Sequence, residues 1–259
     1  MLCVLAGWFW LWMDQIAGGA VQGARAPNPL KKSPPGIVFM IDGVGGLSFS
    51  PKMMELALTE AMVPHELRQF YWSHGFGRWH EDLTDAEGIR AKASELAGEI
   101  MEFRIQRPGA PVFLIAKSGG TAVALTCLAQ LPDASVERCV LLSAAVSPEF
   151  DLVPALRAVR TDLFSFWSPR DRLVLGVGTT FFGTADGVQS ESAGLVGFRV
   201  PENATEETQR QYAKLRQVEW TPKMTKSLNF GTHIGTSMPQ FVRDYVAPLV
   251  GGQAPRDEE

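Results

Sequence analysis

Apolar residues along this chain fall into two kinds of block, and their alternation predicts the fold. Continuous runs of five or six, IVFMI (37–41), PVFLIA (111–116) and LFSFW (163–167), are bounded by Gly, Pro or acidic residues and read as strands buried on both faces. ELRQFYWS (66–73), residues 137–144 and LRQVEW (215–220) read as further strands. Between them, apolar residues recur at helical spacing. PKMMELALTEAM (51–62) opens on Pro51 and is stopped by Pro64. A helix capped by Thr84 runs to about Phe103, with Asp85 and Glu87 in its first turn, where the helix dipole favours anions. Residues 121–131 form a buried helix, and MPQFVRDYVAPLV (238–250) is the last one. Strands alternating with helices imply right-handed crossovers, hence an α/β fold with a mostly parallel central sheet and helices on both faces.

The two ends of the chain stand outside this pattern. LCVLAGWFWLWM (2–13) is an unbroken apolar run, too short for a membrane-spanning helix and of the length of a signal-peptide core. Small residues follow at Ala17-Gly18-Gly19-Ala20, where a cleavage region would lie, although no basic residue precedes the run. Residues 1–24 therefore read as a leader for export or membrane attachment, the alternatives being an interfacial helix or a misassigned start codon. That reading makes the protein secreted, periplasmic or membrane-associated, with a cytoplasmic location as the alternative. RAPNPLKKSPP supplies a linker over 25–35, the folded domain spans 36–250, and the polar tail 251–259 is expected to be disordered.

Composition narrows the function. The 259 residues are 46% hydrophobic and 20% charged, with 24 basic against 28 acidic side chains, so the chain is globular and lacks the clustered cations of a nucleic-acid binder. Cys127 and Cys139 are two buried thiols or one pair, and the three cysteines have no zinc-ligand spacing. PVFLIAKS lacks both glycines of a Walker A loop, Ser48 stands where a dinucleotide fingerprint from Gly43 needs its third glycine, and Thr84 breaks an HExxH reading of His80-Glu81. His65, His74 and His80 are read as solvated or core histidines. No metal and no organic cofactor is expected.

Chemistry concentrates where PVFLIA ends in Ala116-Lys117-Ser118-Gly119-Gly120 and a helix begins at once. A nucleophilic serine is pushed out at the top of a sheet by a sharp strand-to-helix turn, which requires small neighbours. The turn also frees the Gly119 N–H at the helix N-terminus, aimed where an oxyanion would form. Here the chain resembles the α/β-hydrolase superfamily, whose elbow reads small-x-Ser-x-small; Ala116 replaces the commoner Gly. Three further stretches carry the resemblance. Asp42-Gly43-Val44-Gly45-Gly46 follows the first strand, where such hydrolases place an oxyanion loop, which makes the Val44 N–H the second donor. Ser168-Pro169-Arg170-Asp171 is similar to the turn that presents the triad acid. Phe230-Gly231-Thr232-His233 sets the last of four histidines in a glycine-flanked loop. The resemblance implies a triad of Ser118, Asp171 and His233 in the superfamily's chain order, with Val44 and Gly119 as the oxyanion hole. Asp186, in a turn sequence inside the Gly-rich GVGTTFFGTADG (176–187), competes with Asp171, whereas Asp162 lies at the opposite sheet edge.

The short span between the strand ending near Ala144 and the one starting at Leu163 leaves no room for a large cap domain. By resemblance the expected activity is that of a serine hydrolase of carboxylic esters, on lipid or short acyl substrates, as in cutinases and small lipases. Acyl transfer, thioester cleavage and a non-catalytic binding module on the same fold are the alternatives. Phe181 and Phe182 could line an acyl pocket, Lys117 is expected to lean toward solvent or a carboxylate, and the N-terminal run could attach the protein to a membrane.

Overall fold

The computed structural model describes residues 34–46, 49–171 and 191–251. The leader, most of the linker, Phe181, Phe182, Asp186 and nearly all of the polar tail lie outside the described residues. Within them, no helix is long and apolar enough to cross a membrane.

All six expected strands form: β1 (Ile37–Ile41), β2 (Glu66–Phe70), β3 (Val112–Lys117), β4 (Arg138–Leu142), β5 (Leu163–Trp167) and β6 (Leu215–Glu219). They make one sheet in the order β2-β1-β3-β4-β5-β6, with every neighbouring pair parallel. The helices are α1 (Phe49–Glu60), α2 (Trp79–Thr84), α3 (Ala86–Gln106), α4 (Gly120–Leu128), α5 (Val153–Ala158), α6 (Ala193–Val196), α7 (Glu206–Tyr212) and a C-terminal helix, α8, over 239–250. The middle of α8, Val242–Val246, widens to a π turn. Pro248 explains it, because its ring displaces the carbonyl four residues back and offers no N–H to it.

Strand alternation divides the core into two layers. Ile37, Phe39, Ile41, Leu114, Ala116 and Leu141 face one way and pack against α3, α4 and α5. Val38, Met40, Phe113, Ile115, Val140 and Leu142 face the other way, against Met54 and Leu58 of α1 and Phe241, Val246 and Leu249 of α8. Each fully buried Leu, Ile or Phe contributes about 1.5–3 kcal/mol, and both faces of the sheet are covered, which is why β1 is apolar throughout and β3 and β4 are apolar except at one end. Cys127 and Cys139 are buried free thiols. Burial pushes the Cys127 thiol up to about 12, so it is inert.

Helix ends shift by one to three residues from the expected 51–62 and 121–131, and the start of α3 changes its cap. Thr84 does not cap α3; it ends α2, and its hydroxyl donates back to the His80 carbonyl at 2.9 Å. The cap is Asp85, whose Oδ1 accepts the Gly88 N–H at 2.8 Å.

The connections decide where a ligand can sit. From β1 the chain moves to one side to make β2, then returns past β1 to make β3 on its other flank. The C-terminal ends of β1 and β3 thus border a switch point, where loops diverge and leave a crevice.

Candidate active site

Ser118 stands at that switch point, one residue after β3, with φ of 51°. A left-handed conformation is strained for a serine, by about 1–3 kcal/mol, and persists only where its surroundings dictate it. They do so here: the Ser118 N–H donates to the Leu142 carbonyl at 3.0 Å, and the Ser118 carbonyl accepts from the Thr121 N–H at 3.0 Å and hydroxyl at 2.6 Å. The hydroxyl of Thr121 in turn accepts the Ala145 N–H at 3.2 Å, tying the elbow to the end of β4. Gly120 is required by close approach, since a Cβ there would lie 2.1 Å from the Asp42 carbonyl oxygen.

The loop after β1 passes over this elbow. A Cβ on Gly43 would lie 3.5 Å from Ser118 Oγ, and one on Gly119 would lie 2.6 Å from Val44 Cγ1. Val44 and Gly119, the two expected oxyanion donors, are therefore packed against each other beside the serine. Among the described residues Ser118 Oγ makes no hydrogen bond.

The expected acid and base meet. His233 Nδ1 lies 2.8 Å from Asp171 Oδ2, and the Asp171 side chain is only 2% exposed. Their two loops are fastened together by the Ser168 hydroxyl, which donates to the Gly231 carbonyl at 2.7 Å. Gly231 takes a φ of 80°, and Asn229 Oδ1 accepts its N–H at 2.9 Å. The Arg170 guanidinium caps the arrangement by stacking over Trp220 at 4.7 Å. Burial lowers the pKa of His233 below the ordinary imidazole value, the positive Lys117 adds to that effect, and the Asp171 hydrogen bond opposes it. The imidazole is neutral at neutral pH, with Nδ1–H donated to Asp171 and Nε2 left to accept a proton. Asp162, by contrast, pairs with Arg216 at 2.9 Å at the other edge of the sheet.

Of the two surroundings expected for Lys117, solvent is ruled out, while the carboxylates Asp42 and Asp171 lie near enough to attract it. Lys117 is 6% exposed, on the same strand face as Phe113 and Ile115, under α1 and the segment Gly235–Ser237. Its ammonium donates to Ser50 Oγ at 3.4 Å and to Ser237 Oγ, and Ser237 Oγ donates to Ser50 Oγ at 3.2 Å. Burial pushes its pKa down to about 8, against the attraction of Asp42 and Asp171. Asp42 itself is raised by burial, although the Gly43 N–H at 2.7 Å and Lys117 hold it back. Sequence reasoning misses Asp82 altogether. This buried carboxylate accepts the Gly45 N–H of the same loop at 2.7 Å.

Beside the elbow a cleft of about 180 Å³ opens between the ends of β1 and β2, with Asp42, Gly43, Phe70, Tyr71 and Trp72 in its wall. Among the described residues no cluster of His, Cys, Asp and Glu is arranged to hold a metal ion.

No protein-family model matches the chain, and no curated protein matches it in sequence. Solved structures do match. Lipase B of Aspergillus fumigatus superposes with a TM-score of 0.53 at 12% identity, over 90% of this chain and 56% of that one. A lipase-esterase related protein from Clostridium acetobutylicum gives 0.49 at 12% identity, over 85% and 95% of the two chains. An esterase of Pyrococcus furiosus gives 0.48 at 11% identity, over 85% and 82%. The chain thus spans little more than half the length of the Aspergillus lipase. At such identities the likeness is one of architecture, and with its six parallel strands, covered faces and strand-to-helix elbow the chain has the α/β-hydrolase fold.

Proposed function

We propose that the protein is a serine hydrolase that cleaves carboxylic esters through an acyl-enzyme, with Ser118 as nucleophile, His233 as general base and acid, Asp171 as the orienting carboxylate, and the Val44 and Gly119 N–H groups as the oxyanion hole. The observation that carries the reading is the part-buried Asp171–His233 hydrogen bond of 2.8 Å. It joins residues 62 apart in sequence at the same sheet edge as a serine held in a strained elbow.

A serine hydroxyl becomes nucleophilic when a neutral imidazole takes its proton as the bond to carbon forms. Ser118 Oγ attacks the ester carbonyl carbon, the proton passes to His233 Nε2, and Asp171 stabilises the resulting imidazolium without itself being protonated. The carbonyl electron pair moves onto oxygen, where Val44 and Gly119 donate to it; two such fixed donors are worth about 10²–10³ in rate apiece. Collapse of the tetrahedral species expels the alcohol, which leaves with the proton from His233. Water then repeats the sequence on the acyl-enzyme, releasing the carboxylic acid and restoring Ser118. The open link between Ser118 and His233 closes with substrate present, as catalytic hydrogen bonds commonly do. The aromatic wall of the cleft beside Gly43 suits an apolar portion of the ester. Acyl transfer or thioester cleavage would use the same groups with a different acceptor or leaving group.

A fluorophosphonate tests the assignment. It should label Ser118 in the wild-type protein, and Ser118→Ala should lose both labelling and ester turnover while keeping its circular dichroism and melting behaviour. Turnover that survives in Ser118→Ala overturns the reading.

A further inference from the structure

Asp82 is fully buried on a six-residue helix, and no step of the proposed chemistry uses it. A carboxylate in that position must be strongly partnered, and it is. Oδ2 accepts the Gly45 N–H at 2.7 Å and the Ser73 hydroxyl at 2.8 Å. Oδ1 accepts the His74 backbone N–H at 2.7 Å and faces His74 Nδ1 at 2.9 Å. The other ring nitrogen of His74, Nε2, faces Asp85 Oδ2 at 3.0 Å. Ionised carboxylates only accept, so both ring nitrogens have to donate, and only imidazolium carries two N–H groups.

We propose that His74 and Asp82 form a charged latch that holds the loop after β1 in shape, which makes them positioning residues for the oxyanion donor Val44. The role assigned to Val44 rests on the serine-hydrolase reading above. Gly45 N–H belongs to the peptide unit that follows Val44, so anchoring it fixes the orientation of the Val44 backbone. The near side of Val44 is pinned as well: Asp42 Oδ1 accepts the Gly43 N–H at 2.7 Å and the Asp42 carbonyl accepts Trp72 Nε1–H at 2.8 Å. Gly46 completes the closure, since a Cβ there would lie 2.8 Å from the backbone of Gly75. Without Asp82, Gly45 would have to find its partner in water, and the loop would be free to turn Val44 away from Gly119.

The charges around His74 favour the closed latch at neutral pH. Asp82 and Glu81 come from α2, Asp85 from the turn after it and Glu87 from the first turn of α3. Among the described residues the cation beside it is Arg78, which donates to the His74 carbonyl at 3.4 Å and pairs with Glu81. The Asp82 hydrogen bond raises the pKa of His74 above its ordinary value; burial opposes it, and the Asp85 hydrogen bond adds to the rise. Burial pushes Asp82 up, but the N–H groups of Gly45 and His74 outweigh it and hold Asp82 low. As pH rises through the His74 titration, one ring nitrogen loses its proton and turns a lone pair toward a carboxylate. The latch then opens.

Two measurements on the full chain test this: amide exchange at Gly45 as a function of pH, and the pH dependence of kcat and KM on a short acyl ester. In the wild-type protein the Gly45 amide should be protected at pH 6 and lose protection as His74, followed by its ring NMR signals, deprotonates. His74→Gln should leave Gly45 weakly protected at every pH. It should also lower kcat about tenfold at pH 6.5 with KM within about threefold, less than the loss of a whole oxyanion donor, and abolish the alkaline limb. Asp82→Asn should go further in the same direction, and because it alters a buried group, the partly exposed His74 variant is the deciding one. Wild-type Gly45 protection and a wild-type pH profile in His74→Gln overturn the latch. Gly45 exchange that follows His74 in a protein without Ser118-dependent turnover overturns the hydrolase reading instead, and the assignment of the latch to an oxyanion hole falls with it.

Discussion

His233 and His74 each lie against a buried aspartate, at 2.8 Å from Asp171 and 2.9 Å from Asp82, yet the two sites push their imidazoles in opposite directions. His233 has one carboxylate on one ring nitrogen, has only 14% of its side chain exposed, and has the positive Lys117 nearby, so its charged form is disfavoured. His74 has carboxylates on both ring nitrogens and is partly open to solvent, so its charged form is favoured. In the roles proposed, the same pair of residue types thus makes a base in one place and a clamp in the other. What decides is the number of ring nitrogens left free and the sign of the next charge out, not the presence of a His–Asp contact.

The largest test of this contrast compares the two sites by what the loss of a partner does. Asp171→Asn removes the group that fixes the tautomer of a working base, and in Ser-His-Asp triads that change lowers turnover about 10⁴-fold. His74→Gln, which disables a device acting only through the backbone, should lower it about tenfold, less than a lost oxyanion donor. Steady-state kinetics on one ester at pH 6.5 measures both. A loss in His74→Gln as deep as that in Asp171→Asn would make His74 the base and remove the distinction.

A smaller effect should appear in the acid limb. Because burial lowers the His233 pKa, activity should fall only below the ordinary imidazole region near about pH 6.5. The Lys117 charge contributes to that lowering, so Lys117→Met should move the midpoint of the acid limb to higher pH while the alkaline limb, assigned to His74 in the proposed latch, stays where it is. Ser50 and Ser237 retain a hydrogen bond to each other at 3.2 Å when the ammonium is gone, so the site keeps its polar closure. A pH–rate profile in which both limbs move, or neither does, contradicts the separation of the two sites.

These two histidines also differ in how plainly the sequence marks them. Ser118 and Asp171 follow the apolar runs 111–116 and 163–167, and His233 lies in a glycine-flanked loop, so local composition announces the turns that carry them. Asp82 has no such signal. It sits in WHEDLT, a helix too short to display a buried face, and its partners Gly45 and His74 come from two other loops. Lys117 does carry a signal: alternation from Phe113 and Ile115 places it on the α1 and α8 face. Its burial, though, depends on Ser237 and Ser50, 120 and 67 residues away. The strands are readable because burial on both faces leaves unbroken apolar runs. The cap of α3 falls one residue later than the pattern suggests because Thr84 and Asp85 are both good cap formers, and only the Thr84 hydroxyl's bond to His80 tells them apart.

The smallest change in rate should come from Asp85→Asn, and it separates charge from contact in the latch. Asp85 does two things: Oδ1 caps α3 through the Gly88 N–H at 2.8 Å, and Oδ2 faces His74 Nε2 at 3.0 Å. Asparagine caps helices about as well as aspartate, so α3 should be unaffected. With the amide oxygen on Gly88, the new NH₂ points at Nε2 and donates to it. A neutral His74 is then fully satisfied, with Nδ1–H donated to Asp82 and Nε2 accepting from the amide. The pKa of His74 falls toward its ordinary value, and the latch no longer needs the proton. Asp85→Asn should therefore keep kcat within about twofold at pH 6.5, as surface changes usually do, while losing the alkaline limb expected of the wild-type protein. Stability follows the same logic. A histidine whose folded pKa is raised contributes stability fully below its unfolded value near about 6.5 and loses it as pH rises through the folded value. The urea midpoint of the wild-type protein should accordingly drop on going from pH 6 to above the His74 titration, and the drop should be smaller in Asp85→Asn. An alkaline limb that persists unchanged in this variant would mean that another group produces it and that the two carboxylates of His74 serve structure alone.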